Sequence, residues 1–365
     1  MHVPFLDLLG PSQDLMPALE EACRTVLKSG RYIGGPAVES FEQAFAAFCQ
    51  TKHTIGTGNG LDALIIALEA AGVGRGDKVI VPSHTFIATW LAVTRLGAEV
   101  VPVEVDPATY TLNPALLEAA MTPEVKAIIP VHLYGLPADM DPILAFAKQH
   151  DLFVLADAAQ AHGTLYKGTP VGAICPSAWS FYPGKNLGAY GDAGAITCAD
   201  DNFANACHWV GNYGSPTKYV HEICGTNSRL DPLQAALLAE RLKVLPQWNT
   251  QRTHVAKLYS AGLCSDVIKP VVPSYATHAW HLYVVRTPKR DALQKHLAAA
   301  GVETLIHYPT AIHKQRCYAA QAHQWGPLPI AEELADTLLS LPIGPHLSDD
   351  QVQHVITSLN AFFQG

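Results

Sequence analysis

Short apolar runs alternate with amphipathic patterns through the first two hundred residues. The runs are rich in valine, isoleucine and alanine, which is typical of buried strands. We predict strands over 78–81, 100–105, 127–131, 152–155, 178–182 and 194–198, with helices over 86–96 and 141–150. This alternation predicts an α/β fold with a mainly parallel central sheet sandwiched by helices, and a ligand at the carboxyl ends of its strands.

The pattern changes after residue 229. We predict helices over 230–244 and 253–263, with Pro246 interrupting or ending the first of them. Strands are expected over 281–286 and 303–307, and helices over 290–300, 332–341 and 349–363. The chain therefore divides into a large α/β domain over 1–245 and a smaller C-terminal α+β domain over 246–365.

The composition of the chain argues against several classes of function. A net charge of −8 disfavours a nucleic-acid surface, which needs a basic face. No apolar stretch has the length of a membrane span, and the first residues lack the features of a signal peptide. The eight cysteines form no C-x-x-C pair. We therefore expect no metal site, no membrane partner and reduced thiols in a cytoplasmic protein.

One lysine and one aspartate lie in matching positions just after predicted strands. Lys185 occurs in S-F-Y-P-G-K-N-L-G over 180–188, and Asp157 begins D-A-A-Q-A-H-G. Pyridoxal phosphate needs an amine for its Schiff base and an acid against its pyridinium nitrogen, so the pair predicts that cofactor. Taken singly, Lys185 is better explained as a solvated loop lysine, and Asp157 is equally explained as a helix N-cap.

A glycine loop precedes a predicted helix. Gly58, Gly60 and Ala63 fit G-x-G-x-x-A, the loose form of the dinucleotide fingerprint. A nicotinamide site also needs a long apolar strand before the loop and an acid about twenty residues later. The strand here is short and polar, and Asp77 precedes a strand. We therefore assign the loop to a single phosphate, bound by amides at a helix N-terminus.

These motifs resemble the DegT/DnrJ/EryC1/StrS family of sugar aminotransferases. The resemblance rests on the lysine, aspartate and glycine motifs above, together with P-V-H-L-Y-G over 130–135 and N-S-R-L-D-P-L-Q-A-A over 227–236. It implies the aspartate aminotransferase fold (fold type I) of pyridoxal-phosphate enzymes. It further implies that Lys185 binds the cofactor as an imine and moves the substrate proton, while Asp157 pairs with the pyridinium nitrogen.

The resemblance also implies the other cofactor contacts. Gln160 approaches the ring hydroxyl and Phe86 stacks on the ring. The phosphate is held by Ser180 and by the amides of Gly60 and Leu61. Asn227 reaches the cofactor of the neighbouring subunit, which makes a homodimer obligatory. Relatives often have Thr or Ser where this chain has Leu61, a difference that weakens binding by about 1 kcal/mol for one hydrogen bond.

The residues beside the lysine indicate the substrate. Tyr182 and Asn186 resemble the branch that aminates C3 of dTDP-3-keto-6-deoxyhexoses. We therefore expect ping-pong transfer from L-glutamate to such a sugar, with pyridoxamine phosphate between the half-reactions. Candidate substrate contacts are Tyr32, Tyr182, Lys218, Arg229, His307 and Tyr308. Arg229 matches the donor's carboxylate, with a structural ion pair as the alternative.

Three other functions stay open at this point. The first is a sugar aminotransferase acting at C4. The second is a nicotinamide dehydrogenase that uses the Gly58 loop. The third is a non-catalytic regulatory protein with the same fold.

Overall fold

The computed structural model describes residues 1–364 as an α/β protein. Its strands are β1 (His53–Thr57), β2 (Lys78–Pro82), β3 (Glu99–Val103), β4 (Val125–Ile128), β5 (Phe153–Val154), β6 (Ala156–Asp157), β7 (Leu165–Tyr166), β8 (Thr169–Pro170), β9 (Ser177–Ser180), β10 (Gly194–Cys198), β11 (Ala276–Thr277), β12 (Tyr283–Arg286) and β13 (Leu338–Leu341). Its α-helices are α1 (Met16–Ser29), α2 (Pro36–Cys49), α3 (Gly60–Ala70), α4 (Ala88–Arg95), α5 (Leu117–Ala120), α6 (Met140–Gln149), α7 (Asp201–Gly211), α8 (Pro232–Gly262), α9 (Arg290–Ala299), α10 (Pro329–Thr337) and α11 (Asp349–Gln364).

The central sheet is built from two four-stranded parts. One has the order β1-β10-β9-β6 and the other β3-β2-β4-β5. They meet because β5 and β6 are separated only by Leu155, and Val131 pairs in parallel with Asp157. Only β10 pairs antiparallel with its neighbours in this sheet. The prediction of a mainly parallel sheet is confirmed.

Helices cover both faces of this sheet. On one face α3, α4 and α7 bury a cluster that includes Ile66 and Trp90. On the other face α2, α6 and α8 enclose a second cluster around Phe41 and Phe45. Because both faces of the sheet are buried, the sequences of its strands are continuous apolar runs. The sandwich holds the carboxyl ends of the parallel strands in fixed positions.

The C-terminal part has its own core. The strands β12 and β13 pair antiparallel, and α9, α11 and the second half of α8 pack around them. Tyr259 and Tyr283 lie together in this core with ring centroids 5.1 Å apart. Residues 311–335 instead contribute side chains to the apolar cluster that contains Ile66 and Trp90. The domain division at residue 245 stays a prediction.

The predicted helix break at Pro246 is wrong. One helix, α8, runs through it for 31 residues. A proline inside a helix costs about 3 kcal/mol. The buried side chains of Leu245 and Trp248 offset this cost by packing into the core on either side. Within residues 1–364 no helix, α8 included, is both long and apolar enough to span a membrane.

Two predictions near the C-terminus are also wrong. The expected helix over 332–341 ends at Thr337, and its last residues form β13. The buried run L-L-S-L is compatible with a strand as well as with a helix. It forms a strand because it pairs with β12. The expected strand over 303–307 is irregular, and Leu305 alone pairs with Ser340.

Candidate active site

Loops that follow β1, β2, β6 and β9 converge on one large cavity of about 1280 Å³. The four strands are mutually parallel, so their carboxyl ends meet at the same edge of the sheet. The predicted site residues that line the cavity are Gly60, Leu61, Phe86, Asp157, Gln160, Ser180, Tyr182, Lys185, His307 and Tyr308. Residues from distant parts of the sequence are thereby brought into one site.

Asp157 is a buried carboxylate with both oxygens fixed. The Thr89 hydroxyl donates to Oδ2 over 2.8 Å, and the Ala159 amide donates to Oδ1 over 3.1 Å. Burial raises the pKa of the Asp157 carboxyl, and the hydrogen bonds from Thr89 and Ala159 oppose that rise. A cation facing the carboxylate would offset the cost of burying it, so the site suits a protonated pyridine nitrogen.

Lys185 faces the same cavity. Burial lowers the pKa of the Lys185 amine to about 8, and the charge of Asp157 opposes this shift. Among residues 1–364, no acceptor lies within hydrogen-bonding distance of Nζ. The next residue, Asn186, is anchored by bonds to Asn249 Oδ1 (3.0 Å) and the Ala279 carbonyl (2.8 Å). Lys185 therefore combines a reactive amine with a fixed backbone.

Two aromatic rings and an amide line the same cavity as Asp157. The Gln160 carboxamide accepts from the Tyr134 amide (2.6 Å) and donates to the Tyr308 hydroxyl (3.0 Å). The Phe86 ring lies 5.4 Å from that of Tyr308 and remains half exposed toward the cavity. Phe86 and Asp157 line the same cavity, so the stacking of a planar ring on Phe86 with its edge toward Asp157 stays a prediction.

The glycine loop forms a close-packed cradle at the other end of the cavity. Asn59 caps α3 by accepting from the Asp62 amide over 2.8 Å, so the amides of Gly60 and Leu61 remain available. A Cβ on Gly60 would lie 2.6 Å from the Cβ of Ser180, and one on Gly194 would lie 2.4 Å from the Asn59 carbonyl. This close backbone approach requires glycine. Gly60, Leu61 and Ser180 all line the cavity, so we expect their two amides and one hydroxyl to be available to a phosphate group.

The remaining predicted residues do not line this chain's cavity. Tyr32 donates to the Leu27 carbonyl, and the Lys218 amine lies 5.0 Å from the ring centre of Tyr219. Arg229 donates to Asn212 over 3.0 Å and stacks on Tyr213. Asn227 is exposed near them. Their roles stay predictions.

Sequence reasoning missed several residues of the site. Thr89 holds Asp157 from α4, and the hydroxyl of Thr85, four residues earlier, lies 3.0 Å from that of Thr89. Arg252 and His281 line the cavity from the C-terminal half of the chain, and Phe5 and Leu6 line it from the N-terminus. A threonine pair at helical spacing was a visible signal for Thr89. Phe5 and Leu6 lie in P-F-L-D-L over 4–8, a motif that also supports the family resemblance, whereas Arg252 and His281 lie far from any motif.

The arrangement defines a class of protein. A parallel sheet holds a lysine opposite a buried carboxylate and next to a helix N-terminus, as pyridoxal-phosphate enzymes of fold type I require. The model of the DegT/DnrJ/EryC1/StrS aminotransferase family matches residues 14–360. The chain belongs to this family, so it is an aminotransferase and pyridoxal phosphate is its cofactor. The family, fold and cofactor predictions are confirmed.

Curated relatives match over nearly their whole length. The chain is 52% identical to the "erythromycin biosynthesis sensory transduction protein EryC1" of Saccharopolyspora erythraea, covering 99% of this chain and 100% of that protein. It is 49% identical to dTDP-3-amino-3,4,6-trideoxy-α-D-glucose transaminase of Streptomyces venezuelae, covering 98% and 95%. It is 43% identical to dTDP-3-amino-3,6-dideoxy-α-D-galactopyranose transaminase of Aneurinibacillus thermoaerophilus, covering 99% of each.

A solved structure shows the same fold. The crystal structure of S. venezuelae DesV in complex with a ketimine intermediate superimposes with a TM-score of 0.98 at 48% sequence identity. The match covers 100% of this chain and 99% of that chain.

Proposed function

We propose that this protein transfers the amino group of L-glutamate to C3 of a dTDP-3-keto-6-deoxyhexose. The observation that supports this most directly is the meeting of Lys185 and Asp157 in one cavity of a sugar-aminotransferase fold. The choice of C3 is supported by Tyr182 and Asn186 beside the lysine. The printed activities of the relatives at 49% and 43% identity, both of them dTDP-3-amino-sugar transaminases, support it as well.

Asp157 and Lys185 have different roles in the proposed reaction. Bound pyridoxal phosphate supplies an electron sink for the carbon that loses its proton. Asp157, whose carboxylate is held in place by Thr89 and Ala159, would pair with the pyridine nitrogen of the bound cofactor and favour its protonated form. Lys185 accepts the proton from the substrate carbon in one half-reaction and returns a proton in the other. Its pKa of about 8 suits both tasks near neutral pH.

We further propose a homodimer in which each subunit completes the other's site. Asn227, Lys218 and Arg229 lie outside the cavity of their own chain, and Tyr219 is 83% exposed beside them. An exposed aromatic side chain in a polar loop is suited to a subunit interface. We place the protein in the cytoplasm, since none of the eight cysteines forms a disulfide within residues 1–364.

An isotope transfer experiment tests the proposal. The protein is incubated with pyridoxal phosphate, ¹⁵N-labelled L-glutamate and dTDP-3-keto-6-deoxyglucose, and the product is analysed by NMR. We expect ¹⁵N bonded to C3, and no transfer by the Lys185→Ala variant. A parallel reaction contains dTDP-4-keto-6-deoxyglucose in place of the 3-keto sugar, and label at C4 of that sugar alone would support the C4 aminotransferase instead. Failure of the wild-type protein to transfer label from glutamate to any keto sugar would support the non-catalytic alternative.

A further inference from the structure

Tyr134 is a buried tyrosine whose hydroxyl joins two distant parts of the chain. It belongs to the P-V-H-L-Y-G motif over 130–135 and is only 4% exposed. Its hydroxyl donates to the His307 carbonyl and lies 2.8 Å from Nε2 of His84. A carbonyl oxygen only accepts, and a tyrosine hydroxyl has a single proton, so Nε2 of His84 is the donor in the second bond. The hydroxyl thus ties the segment that carries Tyr308 to the loop after β2.

The backbone of Tyr134 has the left-handed conformation that residues other than glycine rarely adopt. Its φ is 59° and its ψ is 3°. Its amide donates to Oε1 of Gln160 over 2.6 Å, and its carbonyl accepts from the Leu282 amide over 3.2 Å. Such conformations persist where the surroundings hold them, and they cluster at functional sites. Three partners of Tyr134 line the reactive cavity, namely Gln160, Leu282 and His307, although Tyr134 itself does not.

The Tyr134 amide determines which way the Gln160 carboxamide points. A backbone N–H only donates, so the Gln160 atom that it contacts must be the oxygen. The nitrogen of the same carboxamide then faces Tyr308 and donates to its hydroxyl over 3.0 Å. A carboxamide nitrogen carries two N–H groups, so the second one remains available to a ligand in the cavity that Gln160 lines.

We propose that Tyr134 is a positioning residue for the ring hydroxyl of the cofactor and acts through Gln160. This inference rests on the proposed contact between Gln160 and that ring hydroxyl. The Tyr134 amide holds the oxygen end of the Gln160 carboxamide. Its hydroxyl, bonded to the His307 carbonyl, holds the segment whose Tyr308 meets the nitrogen end. Loss of the Tyr134 hydroxyl would release this segment, and the free N–H of Gln160 would turn away from the ring.

A cofactor analogue without the ring hydroxyl separates positioning from a purely structural role. 3-Deoxypyridoxal phosphate keeps the aldehyde, the ring nitrogen and the phosphate, so it lacks only the contact in question. We expect Tyr134→Phe to raise the Kd for pyridoxal phosphate in equilibrium dialysis by about 5- to 10-fold, the effect of about one net hydrogen bond. The Kd for the analogue should stay within about 2-fold of its wild-type value. Equal losses for both compounds would show that Tyr134 only supports the fold, and the inference would be wrong.

Combined variants test whether the effect passes through Gln160. Gln160→Ala removes the direct donor, so it should raise the Kd for pyridoxal phosphate by at least as much as Tyr134→Phe and leave the analogue unaffected. In the Gln160→Ala background, Tyr134→Phe should then add less than about 2-fold. A full additional loss in the double variant would contradict the route through Gln160. An equal effect of Gln160→Ala on both compounds would remove the contact on which the inference rests.

Tyr259 provides a matched control. It is also a buried tyrosine, its hydroxyl donates to the Pro342 carbonyl over 2.8 Å, and it does not line the large cavity. We expect Tyr259→Phe to change the Kd for either compound by less than about 2-fold. A selective loss of pyridoxal phosphate binding in this variant would show that any buried hydroxyl has the same effect, and it would overturn the inference.

A crystal structure of the wild-type holoenzyme tests the contact without any substitution. We expect Nε2 of Gln160 within about 3.2 Å of the ring oxygen, with both bonds from Tyr134 intact. A ring oxygen more than about 4 Å from Gln160, or a Gln160 carboxamide turned away from Tyr134, would overturn the inference. All of these measurements concern cofactor binding alone. Their failure is therefore distinct from a failure of the proposed transfer to C3, which the isotope experiment detects.

Discussion

The Thr89 hydroxyl donates a hydrogen bond of 2.8 Å to the Asp157 carboxylate, and both side chains are buried. Thr89 belongs to α4 and Asp157 to the end of β6, so a helix from one βα unit fixes the acid of another. The bond keeps one carboxylate oxygen occupied and opposes the effect of burial on the carboxyl pKa. It therefore holds the orientation of the carboxylate and favours its charged form, and we expect this group to face the cofactor ring.

Removal of this hydroxyl should weaken cofactor binding. Thr89→Val preserves shape and deletes the donor, so the Asp157 carboxylate loses a hydrogen bond worth about 1.5 to 3 kcal/mol. We expect the Kd for pyridoxal phosphate, measured by the visible absorption of the bound form, to rise by at least about 10-fold. Thr89→Ser keeps the donor and should bind like the wild type. Equal binding by the valine and serine variants would contradict this role.

The close packing at Gly60 predicts a second loss of affinity. A Cβ there would lie 2.6 Å from the Cβ of Ser180, so the loop must move away from the phosphate. Overpacking of this kind costs about 1 to 3 kcal/mol. We expect Gly60→Ala to raise the Kd for pyridoxal phosphate by about 5- to 150-fold in equilibrium dialysis. Gly74 has open space around it and provides the control, since Gly74→Ala should leave binding unchanged.

A substitution at Leu61 should strengthen the binding of the cofactor instead of weakening it. Its side chain lines the cavity beside Gly60 and Ser180 and carries no hydrogen-bond donor. We expect Leu61→Ser to add one hydrogen bond to the phosphate and to tighten cofactor binding by about 1 kcal/mol, or roughly 5-fold. Dialysis against decreasing pyridoxal phosphate measures the effect. Leu61→Ala shortens the side chain without adding a donor, so a similar gain in that variant would show that the hydroxyl is not responsible.

Stability should fall in mild acid because of buried histidines. Burial, helped by the charge of Lys185, lowers the pKa of His162 to about 3, and both ring nitrogens lack partners. The unfolded chain takes up a proton below its pKa of about 6.5, whereas the folded chain does not. The folded state therefore loses stability progressively as the pH falls from about 6.5 toward 3. His162 alone accounts for about 2 kcal/mol at pH 5.

Replacement of His162 tests this effect through its pH dependence. His162 packs among the rings of Phe45, Trp179 and Phe181, so His162→Phe retains an aromatic side chain. We expect the difference in unfolding free energy between pH 7 and pH 5, measured by urea denaturation, to shrink by about 1 to 2 kcal/mol. The exposed His323 provides the control, since His323→Phe should leave the difference unchanged. An unchanged pH dependence in His162→Phe would refute the assignment.

The sequence predicted the sheet and the reactive pair because both depend on local signals. Apolar runs identify parallel strands, and Lys185 and Asp157 each follow such a run, so the topology brings them together. Pro246 and the end of α10 were predicted wrongly because tertiary packing decided the outcome there. In α8, burial of Leu245 and Trp248 offsets the free-energy cost of Pro246. At the end of α10, pairing with β12 favours a strand although the apolar pattern also fits a helix.

Several residues of the cavity wall could not be predicted from the sequence. Phe5 and Leu6 line the site because Val3 pairs with Val302, a contact between the two ends of the chain. Arg252 lies in the middle of a long helix, where an arginine usually faces solvent. Its burial follows from the carbonyls of Trp280 and Ile343, which no local pattern places beside it.

The central claim is the amination of C3, and a visible absorption titration of the purified holoenzyme tests it most directly. The yellow protein is titrated separately with dTDP-3-amino-3,6-dideoxyhexose and with the 4-amino isomer. We predict that the 3-amino sugar alone removes the yellow colour. Bleaching by the 4-amino isomer alone would contradict the C3 assignment. A protein that stays colourless even with added pyridoxal phosphate would contradict the roles given to Lys185 and Asp157.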